Sequence, residues 1–203
     1  MDEKSTTCTS EILALYRTDY SRSLHVREIA RLLIGSHVTL IPYLKRLEEG
    51  RILVSAMVGR NKEYRLNPDN LIVLHQMAIS ERLVAVDYLG KHFLIKKVAE
   101  LLLGLDLTGT LVLFGSFAKG NASDTSDLDL FYLGALSEKQ KSRIREIGRT
   151  YGREINVKTA TVESFRAGLR TGDNLVKEIV RNHIILQNPD LLVGLLWRHY
   201  VEQ

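Results

Sequence analysis

The sequence predicts a two-domain chain of mixed α+β and α/β character, with a helical linker between the halves. Three observations predict it. Residues 10–67 read as three helices followed by an antiparallel hairpin. Residues 71–105 form a long, apolar, helical stretch with Gly90 near its middle. From residue 108 onward, apolar strand patterns alternate with amphipathic helical ones, which is how an α/β sheet domain reads. The expected boundaries are 1–69, 70–105 and 106–203. A chain of 203 residues is long enough for two small cores.

In the first part, residues 10–20 place Ile12, Leu13, Leu15 and Tyr16 at helical spacing. Residues 25–33 put Val26, Ile29, Ala30 and Leu33 on one helix face, and Gly35 breaks the run. Ser36 is an N-cap for a third helix over residues 36–49, with Val38, Ile41, Leu44 and Leu47 expected inward. Gly50 ends it. Pro42 sits inside that span, so the helix is expected to start later or to kink. An apolar run, a Gly-Arg-Asn-Lys turn and an alternating run then make the hairpin, closed by Asn67-Pro68-Asp69-Asn70.

The linker reads as one or two helices, interrupted at Gly90, with a surface suited to a homodimer. Beyond it come strands over residues 108–114, 127–132 and 154–158, and a further one over 183–186. Helices are expected over 137–151, 161–169, 174–182 and 190–200.

Composition excludes several classes. The chain is 45% apolar and 26% charged, as in an ordinary globular protein. No apolar run reaches the roughly 18 residues of a membrane span, so no membrane role is expected. The polar, acid-containing start is not a signal peptide, and a single Cys8 excludes an internal disulfide; a cytoplasmic location is the expectation. The six histidines and Cys8 have no metal-ligand spacing. Ser116 has no His partner in sequence, which argues against a hydrolase nucleophile. Neither a P-loop nor a dinucleotide fingerprint occurs. The net charge of +4 is uneven: residues 1–67 hold 11 Lys and Arg against 8 Asp and Glu, an excess of three. That excess hints at a polyanion bound near the N-terminal end.

The chemistry concentrates in residues 115–133. A buried strand ends at Phe114, and Gly115-Ser116 follow at once. Gly115 allows a sharp turn and a close backbone approach, and Ser116 offers a hydroxyl and a backbone N–H to a phosphate oxygen. Lys119 and Gly120 extend the polar loop. Asp127 and Asp129 then share one face of a strand, opposite Leu128, Leu130 and Tyr132. Two adjacent carboxylates repel unless a cation binds between them. Mg²⁺, an oxygen-seeking ion often held by carboxylates and substrate phosphates, is the natural one.

The run Phe114-Gly115-Ser116-Phe117-Ala118-Lys119-Gly120, followed by Ser126-Asp127-Leu128-Asp129-Leu130, resembles the nucleotidyltransferase superfamily typified by DNA polymerase beta. At Ala118, Gly120 and Ser126 it also resembles the superfamily's small minimal members of bacteria and archaea. The resemblance covers about residues 106–187. It implies a mixed sheet flanked by helices and transfer of a nucleoside monophosphate from an NTP to a hydroxyl with two Mg²⁺ ions. It also implies nucleotide contacts from Gly115, Ser116 and Lys119, and metal ligation by Asp127 and Asp129. The family takes a third acid from a later strand. Glu154, which would also assist the attacking hydroxyl, is the expected residue; Asn156, on the same strand face, could ligate only as a neutral amide and would depart from the family's pattern. The alternative reading is a non-catalytic DNA-binding regulator or antitoxin whose nucleotidyltransferase domain senses nucleotide or binds a partner protein.

Residues 25–67 resemble the winged helix-turn-helix of transcription regulators. That resemblance implies DNA contacts from His37, Thr39, Leu40, Tyr43, Lys45 and Arg46 on the third helix, and from Arg51, Arg60, Lys62 and Arg65 on the wing. Small nucleotidyltransferases of this kind also pair, as antitoxins, with HEPN-type partner proteins, which the resemblance carries over as an expected partner.

Overall fold

The computed structural model describes residues 3–33 and 35–203. It divides into two compact units, residues 1–81 with 196–203, and residues 82–195.

In the first unit, α1 (Glu3–Ala14) precedes β1 (Leu24–His25), α2 (Val26–Leu32) and α3 (His37–Glu49). The hairpin β2 (Leu53–Val58) and β3 (Asn61–Leu66) follows. The three strands pair antiparallel in the order β1-β3-β2. Residues 59 and 60 make the hairpin turn, and Gly59 adopts φ +63°, as a tight turn of this kind demands. The two-residue strand β1 carries too little pattern to be read from sequence. α1 also begins earlier than its apolar spacing suggested, and ends at Ala14 with Tyr16 in the turn that follows.

The third helix corrects the expected face. Leu40, Leu44 and Leu47 are buried, whereas Val38 is 63% and Ile41 51% exposed. Leu40 therefore belongs to the core and not to an outward, DNA-facing set. The spacing 40, 44, 47 is the helical stripe that packs, and each buried leucine contributes about 1.5–3 kcal/mol. Ser36 is the N-cap residue, although its hydroxyl makes no capping bond. Pro42 does not end the helix: α3 runs continuously through it, with the proline ring on the solvent side.

Polar anchors complete this unit. The Tyr16 hydroxyl donates to the Tyr64 carbonyl at 2.8 Å, and Tyr200 to Leu66 at 2.8 Å. Arg17 donates twice to Glu81, whose side chain is fully buried.

Between the halves of the sequence lie α4 (Ile72–Lys91) and α5 (Phe93–Leu103). The break is at His92. Gly90 stays inside α4, because glycine weakens a helix by only about 1 kcal/mol and does not force an end.

The second unit holds β4 (Thr110–Phe114), α6 (Gly115–Lys119), β5 (Leu128–Leu133), α7 (Glu138–Thr150) and β6 (Ile155–Ala160). Then come α8 (Val162–Thr171), α9 (Asn174–Arg181) and β7 (Ile184–Gln187). α10 (Pro189–Val201) closes the chain. Caps fix three of these helix starts: Ser137 and Gln140 form a capping box, and Thr161 and Asp173 each cap with a side-chain oxygen.

The four strands run in the order β6-β5-β4-β7, with β5 and β6 parallel and the other pairs antiparallel. The sheet is therefore mixed. One face, with Leu111, Leu113, Leu128, Leu130 and Tyr132, joins a core with Ile95, Val98 and Leu102 of α5 and Ile144 and Ile147 of α7. On the other face Phe131 lies 5.6 Å from the buried Phe165 of α8. The second face also carries the polar residues described next.

Candidate functional site

β4 is buried at every position, so the chain leaves the core abruptly at Phe114. Gly115 makes that exit with φ +68°, a conformation other residues reach only with strain. Register pairs Phe114 with Asp129 on β5. The Asp129 carboxylate consequently lies directly against Gly115, in the space where any Cβ would sit. Two independent constraints thus require glycine here, a positive φ and the contact with Asp129.

Ser116 and Phe117 follow in α6, and Gly120, with φ +74°, ends this short helix. The hydroxyl of Tyr88 on α4 donates to the Phe117 carbonyl at 3.0 Å and ties α6 down. Burial pushes the Tyr88 pKa up to about 12, so the donating proton stays in place even above pH 10. The loop before β5 is held by its own hydroxyls: the Ser123 N–H donates to Ser126 Oγ at 2.8 Å. Arg153 donates to the carbonyls of Asp124 and Ser126, which braces the approach to Asp127.

Asp127 stands one residue before β5 and is exposed, while Asp129 is half-buried on the strand. The parallel pairing sets Asn156 of β6 beside Asp129. The Asn156 amide donates a long hydrogen bond, 3.5 Å, to Asp127 Oδ2. The cluster the fold brings together is therefore Gly115, Asp127, Asp129 and Asn156, with Ser116 half-buried at its edge. Its donors are all oxygen atoms apart from the amide nitrogen, which suits a hard divalent cation.

Glu154 has different neighbours. It lines a cleft of about 560 Å³ with Arg145, Arg149, Gly152, Arg153 and Ile155. Among the described residues no three His, Cys, Asp or Glu side chains are grouped to hold a metal, so Glu154 is not gathered with Asp127 and Asp129. Lys119 is exposed, and its ammonium lies 2.6 Å from Glu178 of α9. Two contributors were not singled out from sequence. Arg153 and Tyr88 act through backbone carbonyls, and no residue pattern announces such contacts.

On α3, His37, Thr39, Lys45 and Arg46 are exposed and Tyr43 is half-buried. Lys45 lies 3.7 Å from Glu49. Arg60 is exposed in the turn between β2 and β3. Lys62 is ion-paired with Glu48 at 2.7 Å and lies over the Tyr64 ring. Hydrogen bonding to Lys62, and then to Ser55, holds the Glu48 carboxyl below its ordinary range.

Residues 94–186 match the nucleotidyltransferase domain. The matched domain runs from α5 into β7, and so contains all of β4, β5 and β6 with the Gly115-Ser116 corner and both aspartates. It starts 12 residues before the stretch that carries the motif resemblance and takes in α5, whose Ile95, Val98 and Leu102 pack under the sheet. No curated protein and no solved structure gives a significant match to the chain. Among the described residues no helix is long and apolar enough to cross a membrane.

Proposed function

We propose that the matched domain binds a nucleoside triphosphate with a divalent cation and transfers its nucleoside monophosphate to a hydroxyl acceptor. The observation that carries this reading is the seating of the Asp129 carboxylate against Gly115, with Asp127 two residues away and bonded to Asn156. Asp127 and Asp129 would hold the cation, with Asn156 able to lend its amide oxygen. A bound divalent ion supplies charge neutralisation for the phosphates.

In this reading Gly115 lets the backbone come close to the triphosphate, and the Ser116 hydroxyl and N–H donate to its oxygens. The acceptor oxygen bonds to the α-phosphorus, the bond from that phosphorus to its bridging oxygen breaks, and pyrophosphate leaves. The acceptor proton passes to a carboxylate of the site. Catalysis rests on positioning more than on covalent chemistry, which fits a corner built on a strand end and a braced loop.

Calorimetric titration with Mg-ATP and Mg-CTP, and transfer of label from an α-³²P NTP, test the reading. Binding is expected in the wild type and lost in Asp127→Asn/Asp129→Asn. Equal affinity in both proteins would sink it.

A second reading concerns the first unit, for which we propose DNA binding of the winged helix-turn-helix kind. What supports it is the order of three helices and a hairpin, with α3 presenting His37, Thr39, Lys45 and Arg46 to solvent and Arg60 at the hairpin tip. Binding of a discrete duplex site is expected, with affinity falling steeply as salt rises. Arg60→Ala should lower the log–log salt slope by about one. An unchanged slope, or no preference over random duplex, would count against it.

A further inference from the structure

We propose that Lys158, and not the expected nucleotide contact Lys119, is the lysine that binds the phosphate chain of the nucleotide; this rests on the nucleotide-binding reading above. The register on β6 gives the first reason. Asn156 pairs with Asp129, and Lys158, two residues on, projects from the same face beside Phe131. The Lys158 ammonium nevertheless lies 5.9 Å from the ring of Phe114, which belongs to β4. β4 is two strands from β6, about 9–10 Å away. The side chain has therefore crossed above β5, back toward the end of β4 where Gly115 and Asp129 meet.

Charge gives the second reason. Lys119 is committed to Glu178 at 2.6 Å, whereas among the described residues Lys158 makes no ion pair. Its cation–π contact with Phe114 is, at an exposed site, weak. A triphosphate brings about four negative charges to a corner that already holds two carboxylates. One divalent ion leaves that sum strongly negative, and a lysine ammonium, a compact point charge on a flexible stem, reduces it. The aromatic ring of Phe114 guides the stem without neutralising the charge, so the ammonium remains available to an incoming anion.

The test is titration of the full chain with Mg-ATP, Mg-CTP and the matching monophosphates, comparing wild type with Lys158→Met, Lys158→Arg, Lys119→Met and Asp127→Asn/Asp129→Asn. Circular dichroism and thermal melting confirm that each variant is folded. Lys158→Met is expected to weaken triphosphate binding about tenfold or more while changing monophosphate binding less than about twofold. Lys158→Arg should keep most of the affinity, and Lys119→Met should be near wild type. Wild-type binding that is lost with the two aspartates but unchanged in Lys158→Met would overturn the proposal and leave the domain's nucleotide reading standing. Equal losses for tri- and monophosphate would also overturn it, since they report a structural role. A wild type that binds no nucleotide would remove both.

Discussion

The carboxylate of Asp129 fills the place that a side chain on residue 115 would need, so the residue that turns the chain out of β4 and the residue that carries charge on β5 are fitted to one another. The pairing of Phe114 with Asp129 sets this fit, and the φ of +68° at Gly115 completes it. Gly115→Ala should therefore fail twice. The left-handed backbone costs about 1–2 kcal/mol. The added methyl must also push Asp129 aside, so nucleotide affinity should drop along with stability. Denaturant unfolding and calorimetric titration measure the two losses. An alanine variant with wild-type affinity would show that Asp129 has room to move without consequence.

Asn156 and Glu154 make opposite predictions about the third donor. Asn156 reaches Asp127, and Glu154 shares a cleft with three arginines. Asn156→Asp should tighten Mn²⁺ binding, measured by electron paramagnetic resonance, because it adds a charged oxygen beside the two aspartates. The same change should lower stability without metal, through repulsion among three carboxylates. Glu154→Gln should leave Mn²⁺ affinity unaltered. The reverse pattern would return the third position to Glu154.

Tyr88 gives a pH signature. Its hydroxyl holds Phe117, and burial raises its pKa from 10 to about 12. The folded chain keeps this proton more tightly than the unfolded chain. Its contribution to stability is therefore complete below pH 10 and is lost as pH climbs toward 12. Tyr88→Phe should cost about 1 kcal/mol at neutral pH and flatten part of the alkaline loss. Tyr16 and Tyr20, also raised by burial, should keep the remainder. Tyrosine absorbance in wild type minus variant should titrate near pH 12. A difference titrating near 10 would contradict the buried hydroxyl.

In the first unit, Arg17 and the fully buried Glu81 form the ion pair whose loss should be most costly. Arg17→Met removes the guanidinium and leaves a buried carboxylate to be accommodated, at about 3 kcal/mol. Pairing it with Glu81→Gln should recover part of that loss. If Arg17→Met melts at the wild-type temperature, the pair carries no net stability.

What could be read from residues alone was local. The helices over 137–151, 161–169 and 174–182 are legible because apolar spacing repeats within each stretch, whereas the caps at Ser137, Thr161 and Asp173 are seen in the folded chain. The Gly-Ser corner and the alternation of Asp127 and Asp129 with Leu128 and Leu130 are likewise written in short stretches of chain. The order β6-β5-β4-β7 needed the folded structure, and so did the neighbours of Asn156, Glu154, Lys119 and Lys158. So did the rotation of α3 that buries Leu40 and exposes Ile41, and the grouping of residues 196–203 with the first unit. Periodicity states which residues share a face of one element. Which element that face meets depends on pairing between residues far apart in the chain, and that is settled by packing and register in three dimensions.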